Sequence, residues 1–281
     1  MILKYEDYKL NDKSVFERVV FKPPFKPSIT YENEACFIYS RNGNGFSYGG
    51  LEKGKVVSKE SILMKCGSFI NHWQSADDHE SCEIIAIHFT PDIIRSVYQN
   101  EVPHFLITGE QKHSHKIFQI LPHSSIIDEY IKGMNFYFDN PPLMTEDLLI
   151  LKIKELLLLL YNTNYPEIRD LLKSLFTPVE LNFKSIINAH LFDDLTPQDF
   201  AALTNTSLST FRRKFKEIFG ESPAKYIQDK RLERASELLK ASDLRITDIC
   251  FECGFNSLSS FTRAFTKKYN MPPSDYRERQ L

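Results

Sequence analysis

The chain has 281 residues, 42 % hydrophobic and 26 % charged, with 10 Gly and 14 Pro, which excludes fibrous and disordered classes and leaves room for two domains. Five cysteines, an odd number at irregular spacing, fit a reducing compartment better than a disulfide framework. The net charge of −2 hides an asymmetry: from Val179 onward there are 16 basic and 14 acidic residues, against 19 and 23 before it.

The opening MILKYEDYKLNDK lacks the apolar core of a secretory signal, and the longest apolar run, Leu156 to Tyr161, is too short to cross a bilayer. A cytoplasmic protein without a membrane partner is expected. Residues 1 to about 110 read mostly as strands. CFIYS (36–40), GKVVS (54–58), SILMK (61–65) and EIIAIHF (83–89) are rich in β-branched and aromatic residues. Turn clusters separate them: RNGNG at 41–45, with GNG as a hairpin turn, GG at 49–50 and SADD at 75–78. Several short strands at this spacing predict a sandwich or small barrel.

From about His115 the apolar period becomes helical through Ile117, Ile120, Leu121, Ile126, Ile127 and Ile131, with a break near Pro122. A second helix is expected over Thr145 to Tyr161, its apolar face carrying Leu148, Leu151, Leu156 and Leu159. That face suits a core, with a helical dimer surface as the alternative. A third helix is expected near Ile168 to Phe176, and Pro178 marks the domain boundary. After it the chain reads as helix after helix.

Two segments of this last part align at a spacing of 49 to 50 residues: TPQDFAALTNTSLSTFRRKFKEIFGESPAKYI (196–227) and ITDICFECGFNSLSSFTRAFTKKYNMPPSDYR (246–277). Phe211, Phe215, Phe219, Pro223 and Tyr226 match Phe261, Phe265, Tyr269, Pro273 and Tyr276, with Phe255 inserted at the turn. In the first copy a short helix opens at Thr196, a good N-cap, with Pro197 next and Asp199 three residues on. The chain then turns at Asn205, or at Gly254 in the second copy, residues that tolerate left-handed backbone. A second helix buries Phe211, Phe215 and Ile218 and leaves Ser209, Arg212, Arg213 and Lys216 outside. Its counterpart leaves Ser259, Thr262, Arg263 and Lys267. Small hydroxyls let a helix approach base edges, and guanidinium forks grip guanine or phosphate. A helical hairpin with an ordinary solvated face is the plainer reading of one copy, but two matched copies favour DNA. Between them Ser222 caps a helix that starts at Pro223 and runs to about Lys240, its apolar side Ile227, Leu232, Ala235, Leu238 and Leu239. Some 18 helical residues span about 27 Å, the scale needed to set two recognition helices about 34 Å apart in successive major grooves.

The second copy, with Ile246, Ile249, Gly254, Phe255, Phe261, Arg263, Phe265, Pro273, Tyr276 and Arg277, resembles the signature of the AraC/XylS family of bacterial transcription regulators. The connector residues Arg231, Leu232, Ala235, Leu238 and Leu239 match it too, and the resemblance covers roughly 180–281. It implies a two-domain α+β protein. A cupin-like β sandwich or barrel (1–112) would be followed by a helical dimerisation or linker region (113–178). An all-α DNA-binding domain of about seven helices with two helix-turn-helix units (179–281) would complete it. The resemblance further implies base-edge contacts at Ser209, Arg212, Arg213, Ser259, Thr262 and Arg263. Phosphate contacts are implied at Ser207, Lys216, Ser257 and Lys267. The implied partners are double-stranded DNA, RNA polymerase, a second copy through the 113–178 helices, and a small-molecule or protein effector. Activation is the commoner mode in the family and repression the alternative. The departures are Asn205-Thr206 at the first turn and Cys250 where alanine is usual; base-contact residues vary among members, so no target sequence carries over.

Other constellations carry less. Cys250-x-x-Cys253 has redox or zinc spacing without a second pair. His72, His79, Glu83 and His88 lack the His-x-His spacing of metal-binding cupins, and His113-x-His115 reads as a polar loop. The aromatic residues Phe21, Phe25, Tyr31, Phe37, Tyr39, Phe46, Tyr48, Phe69 and Trp73 are either core or the lining of a pocket. No cofactor, metal or catalytic group is expected. The competing classes are a cupin-type oxygenase or isomerase and a DNA-repair methyltransferase; Cys36, Cys66 and Cys82 lack the clustering the latter needs.

Overall fold

The computed structural model describes residues 1–75, 80–99, 103, 106, 116–176 and 182–279. Expectations placed on Pro178, His79, His113, His115 and the turn residues 76–78 lie outside them. The chain divides into two compact units, Met1–Leu181 and Asn182–Leu281.

Among the described residues of the first unit, ten strands form two antiparallel sheets. One sheet has six strands: β1 (Ile2–Leu10), β2 (Lys13–Phe21), β9 (Cys82–Phe89), β4 (Ala35–Ser40), β7 (Ser61–Met64) and β10 (Phe118–Leu121), in that order. The other has four: β3 (Ser28–Tyr31), β8 (Gly67–Ser75), β5 (Gly43–Gly49) and β6 (Glu52–Val56). Between the sheets lies one core, with Phe21, Tyr31, Phe69 and Trp73 among its aromatics. A second core covers the outer face of the six-stranded sheet with α1 (Pro91–Val97), α2 (Ser125–Asp139), α3 (Glu146–Tyr161) and α4 (Pro166–Lys173). Strands β4, β7 and β9 are therefore buried on both faces. Cys36 and Ile38 point into one core while Phe37 and Tyr39 point into the other, so ACFIYS reads as a continuous apolar run without alternation.

Three sequence expectations change here, and one hairpin is added to them. The hairpin of β1 and β2 turns at Asn11 and Asp12, which both take left-handed backbone (φ 52° and 62°), the geometry of a two-residue turn and one that these two residue types tolerate. The GNG segment is not a turn: Gly43 to Gly45 begin β5, and the chain crosses from one sheet to the other at Arg41-Asn42. Asn42 fastens that crossing, accepting from Glu83 N (2.7 Å) and donating to Ser81 O (3.1 Å). Phe118–Leu121 is a strand paired to β7 where helical spacing was expected, because a segment of four residues is too short to carry a decisive period. On α3 the buried stripe is Leu149, Ile153, Leu156, Leu157 and Leu160. Leu151 is instead 59 % exposed. In a helix that is apolar nearly all round, the sheet beneath decides which face is core.

The second unit contains seven helices among its described residues: α5 (Phe183–Ala189), α6 (Pro197–Leu203), α7 (Leu208–Phe219), α8 (Pro223–Ala241), α9 (Ile246–Glu252), α10 (Leu258–Tyr269) and α11 (Pro273–Glu278). Helix α6 starts in a full capping box: Thr196 Oγ1 accepts from Asp199 N, and Asp199 accepts from Thr196 N at 2.7 Å. Thr196→Ala is expected to lower the stability of this unit by about 1 kcal/mol, read from urea unfolding; no change would mean that the helix start carries no strain relief. Ser222 precedes α8 but makes no side-chain cap bond, so Pro223 at the first position does the starting. Ile218, expected in the core, is 42 % exposed, and the buried stripe of α7 is Phe211 and Phe215. Among the described residues no helix is long and apolar enough to cross a membrane.

Candidate nucleic-acid interface

The two copies fold alike down to their hydrogen bonds. At the end of α6, Asn205 (φ 48°) donates to Ala202 O at 2.9 Å and Thr206 donates to Ala201 O at 2.9 Å. At the end of α9, Gly254 (φ 79°) donates to Phe251 O at 3.0 Å and Phe255 donates to Cys250 O at 3.1 Å. This is the same paired closure of a helix end in both places, and it needs left-handed backbone at its pivot. Ser207 and Ser257 then cap α7 and α10 by accepting from Thr210 N and Ser260 N. The two helices end on left-handed residues again, Gly220 (φ 80°) and Asn270 (φ 57°).

Aromatic side chains hold each long helix. Phe215 meets Phe211 at 5.6 Å, Phe219 at 4.4 Å and Tyr226 at 5.6 Å between ring centroids. Phe265 meets Phe261 at 5.6 Å, Tyr269 at 4.5 Å and Tyr276 at 5.2 Å. The first copy gains a further support that the repeat does not show: Phe183 on α5 packs against Phe211 at 5.6 Å.

With the aromatic side held down, the opposite face of each helix is turned to solvent. Ser207, Ser209, Arg212, Arg213 and Lys216 are exposed on α7, and Ser257, Ser259, Arg263 and Lys267 on α10 or at its cap; Thr262 is half-buried. Ser209 and Ser259, Arg212 and Thr262, Arg213 and Arg263 occupy equivalent places. The lysines do not: Lys216 stands where the second copy has Thr266, and Lys267 where the first has Glu217. Arg213 Nη1 lies 3.4 Å from Glu217 Oε1. Arg263 has Lys267 at that position, so no carboxylate one turn on competes for its guanidinium. Ser207 and Ser257 are occupied as caps, each hydroxyl also within 2.9 Å of its neighbour Thr210 or Ser260.

The connector α8 joins the copies through polar contacts that the sequence did not disclose. Lys268 on α10 donates to Asp229 O (3.0 Å) and pairs with Asp229 (3.1 Å) and Glu233 (3.3 Å) on α8. Arg231 on α8 reaches the carbonyls of Leu191, Asp193 and Gly254. Backbone acceptors leave no trace in a residue pattern; only Arg231 itself, inside the connector motif, was visible.

The other constellations resolve into structure. Cys250 and Cys253 are buried and free, and burial pushes both thiols up, Cys253 to about 12, away from the thiolate that redox or metal chemistry uses. His88 sits between Glu34 and Glu17, the latter at 3.4 Å, and these carboxylates together with Cys36 push its imidazole up despite burial. Glu83 pairs with Arg41 at 2.9 Å. Among the described residues no group of three or more His, Cys, Asp and Glu is arranged to hold a metal ion. Of the aromatic residues that were open between core and pocket, Phe21, Phe37, Phe69 and Trp73 are fully buried.

Two helix-turn-helix units on a shared connecting helix define a bipartite helix-turn-helix protein. A helix-turn-helix domain family matches residues 200–279, and the ExsA N-terminal regulatory domain family matches residues 35–171. Both matches, together with the relatives below, support the AraC/XylS family of bacterial transcription regulators. It is 30 % identical over 151 residues to the HTH-type transcriptional regulator ExsA of Pseudomonas aeruginosa, 53 % of each chain. It is 34 % identical over 89 residues to the HTH-type transcriptional activator RhaS of Klebsiella pneumoniae, 32 % of each. The DNA-binding domain of AdpA, solved in complex with a target DNA, aligns with 26 % identity and a TM-score of 0.33, over 34 % of this chain and 87 % of that one. The chain thus spans about half the length of the first curated relative and a third of the second.

Proposed function

We propose that this protein is a sequence-specific, DNA-binding regulator of transcription that places α7 and α10 in successive major grooves of one duplex. The observation that carries this is the duplication itself. Two helices with matching caps, turns and aromatic cores each present a serine and arginine face to solvent, on one connector of 19 residues. A helix of that length measures about 28 Å at 1.5 Å per residue. Ser209, Arg212, Arg213, Ser259, Thr262 and Arg263 read base edges, while Lys216 and Lys267 neutralise phosphates. The capping serines Ser207 and Ser257 present a helix N-terminus to phosphate.

The division of labour follows the chain: residues 1–112 sense a signal, residues 113–178 pair two copies, and residues 179–281 read DNA. Pairing is supported by apolar side chains left outside on α2 and α3, with Phe136 55 %, Leu151 59 % and Leu158 48 % exposed. Activation through RNA polymerase, in the cytoplasm, is the mode proposed, in keeping with a relative named as an activator. No reaction is assigned to the chain.

Selection from a random library of duplexes by the full-length protein tests the reading. A recovered sequence with two conserved blocks about one helical turn apart, 10–10.5 bp, is expected. Affinity for it should fall steeply between 50 and 200 mM salt, by a factor on the order of 10³. Recovery of no common sequence, or binding indifferent to salt, would overturn it.

A further inference from the structure

Reading two grooves at once requires more than two suitable helices. It requires that their separation and relative rotation stay fixed. The connector α8 carries one side chain that touches both units. Arg231 donates from Nε to the carbonyl of Leu191 at 2.8 Å and from Nη1 to the carbonyl of Gly254 at 2.7 Å, while Nη2 donates to the carbonyl of Asp193. Leu191 and Asp193 lie in the loop between α5 and α6 that leads into the first copy, and α5 packs on that copy through Phe183 against Phe211; Gly254 is the pivot of the second.

The surroundings are shaped to this contact. A Cβ on Gly254 would come within 3.0 Å of Arg231 Cζ and Nε, and within 2.6 Å of the carbonyl oxygen of Phe192. The glycine therefore supplies both the left-handed turn and the space in which backbone of one copy and guanidinium meet. The α5–α6 loop is held from its own side, where Asp193 N donates to His190 O at 3.2 Å and Leu195 N donates to Asp193 O at 2.8 Å. At the rim Asn256 Nδ2 donates to Asp194 Oδ1 at 3.1 Å, a second tie between the second copy and the loop that leads into the first. A planar fork that bonds three carbonyls fixes three points of backbone at once, and charge-assisted donors make such bonds stronger than neutral ones. Lysine keeps the charge but has no fork.

We propose that Arg231 is a positioning residue for DNA reading: it locks the two helix-turn-helix units together so that the protein rejects operators whose two halves are shifted by a base pair. This rests on the DNA-reading function proposed above. Each base pair moves a half-site by about 3.4 Å and rotates it by about a tenth of a turn. A locked pair of helices cannot follow; a loosely joined pair can.

The test uses the full chain and the two-block duplex that the wild type selects. Binding is measured on that duplex, on versions with one base pair added or removed between the blocks, and on a version with one block scrambled. The wild type is expected to lose about 30-fold or more on a shifted duplex, because simultaneous engagement is lost. Arg231→Gln is expected to shrink that penalty to about 3-fold or less while its affinity for the half-scrambled duplex stays within about 2-fold of the wild type. Arg231→Lys should fall between, and Asn256→Ala should shrink the penalty slightly. An unchanged spacing penalty in Arg231→Gln, or an equal loss on every duplex, overturns the proposal. Should that variant not fold, Arg231→Lys decides, and an undiminished penalty there overturns it equally. A wild type that selects no sequence removes the DNA reading itself, and the positioning role with it.

Discussion

Phe215→Ala and Phe265→Ala are each expected to lower the unfolding free energy of the helical unit by about 3–5 kcal/mol. Both rings are fully buried, and each is the hub of its cluster. Removing one deletes its own transfer energy and leaves a cavity walled by other rings, which cannot collapse into it without losing their own contacts. Whole domains are stable by only about 5–15 kcal/mol, so either change consumes much of what this unit has. Urea unfolding followed by far-UV circular dichroism measures it, with Trp73 fluorescence reporting separately on the β unit that contains the only tryptophan. Ile218→Ala is the control: 42 % exposed, it should cost about 0.5 kcal/mol or less. If Ile218 cost as much as Phe215, the packing described for α7 would be wrong.

Arg213→Ala and Arg263→Ala are each expected to weaken binding to the selected duplex by about 1–3 kcal/mol and to relax preference at one base pair. The two sites lie on separate helices, so the double variant should lose close to the sum, about 2–6 kcal/mol. The losses should not be equal. Arg213 has Glu217 at 3.4 Å competing for its guanidinium, whereas Arg263 is followed one turn later by Lys267. The larger loss is therefore expected at Arg263. Titrations on the selected duplex and on its single-base variants measure both effects. A loss that is uniform over all sequences, with a shallower salt dependence, would make these arginines phosphate clamps instead of base readers.

Much of the helical unit was legible because its determinants are local. A cap, a left-handed pivot and an i, i+4 aromatic pair act within a dozen residues, and their repetition at 49 to 50 residues removed the ambiguity of any one copy. The β unit was less legible. Helical spacing across Ile117–Leu121 and the GNG turn were both misread, because strand pairing and a crossing between sheets depend on partners distant in sequence, Leu121 pairing with Ser61 and Gly43 with Ser75. The face of α3 was misjudged for the same reason: leucine on every side leaves the choice to the sheet below.

From sequence alone came the duplicated motif, the hydroxyl and basic face of the second helix in each copy and the two-domain plan, since each is written in residue type and spacing. The tertiary structure alone decided what joins the two copies. Arg231 bonds only to carbonyl oxygens, which every residue carries and no sequence pattern distinguishes, so its grip on Leu191, Asp193 and Gly254 exists only once the chain has folded.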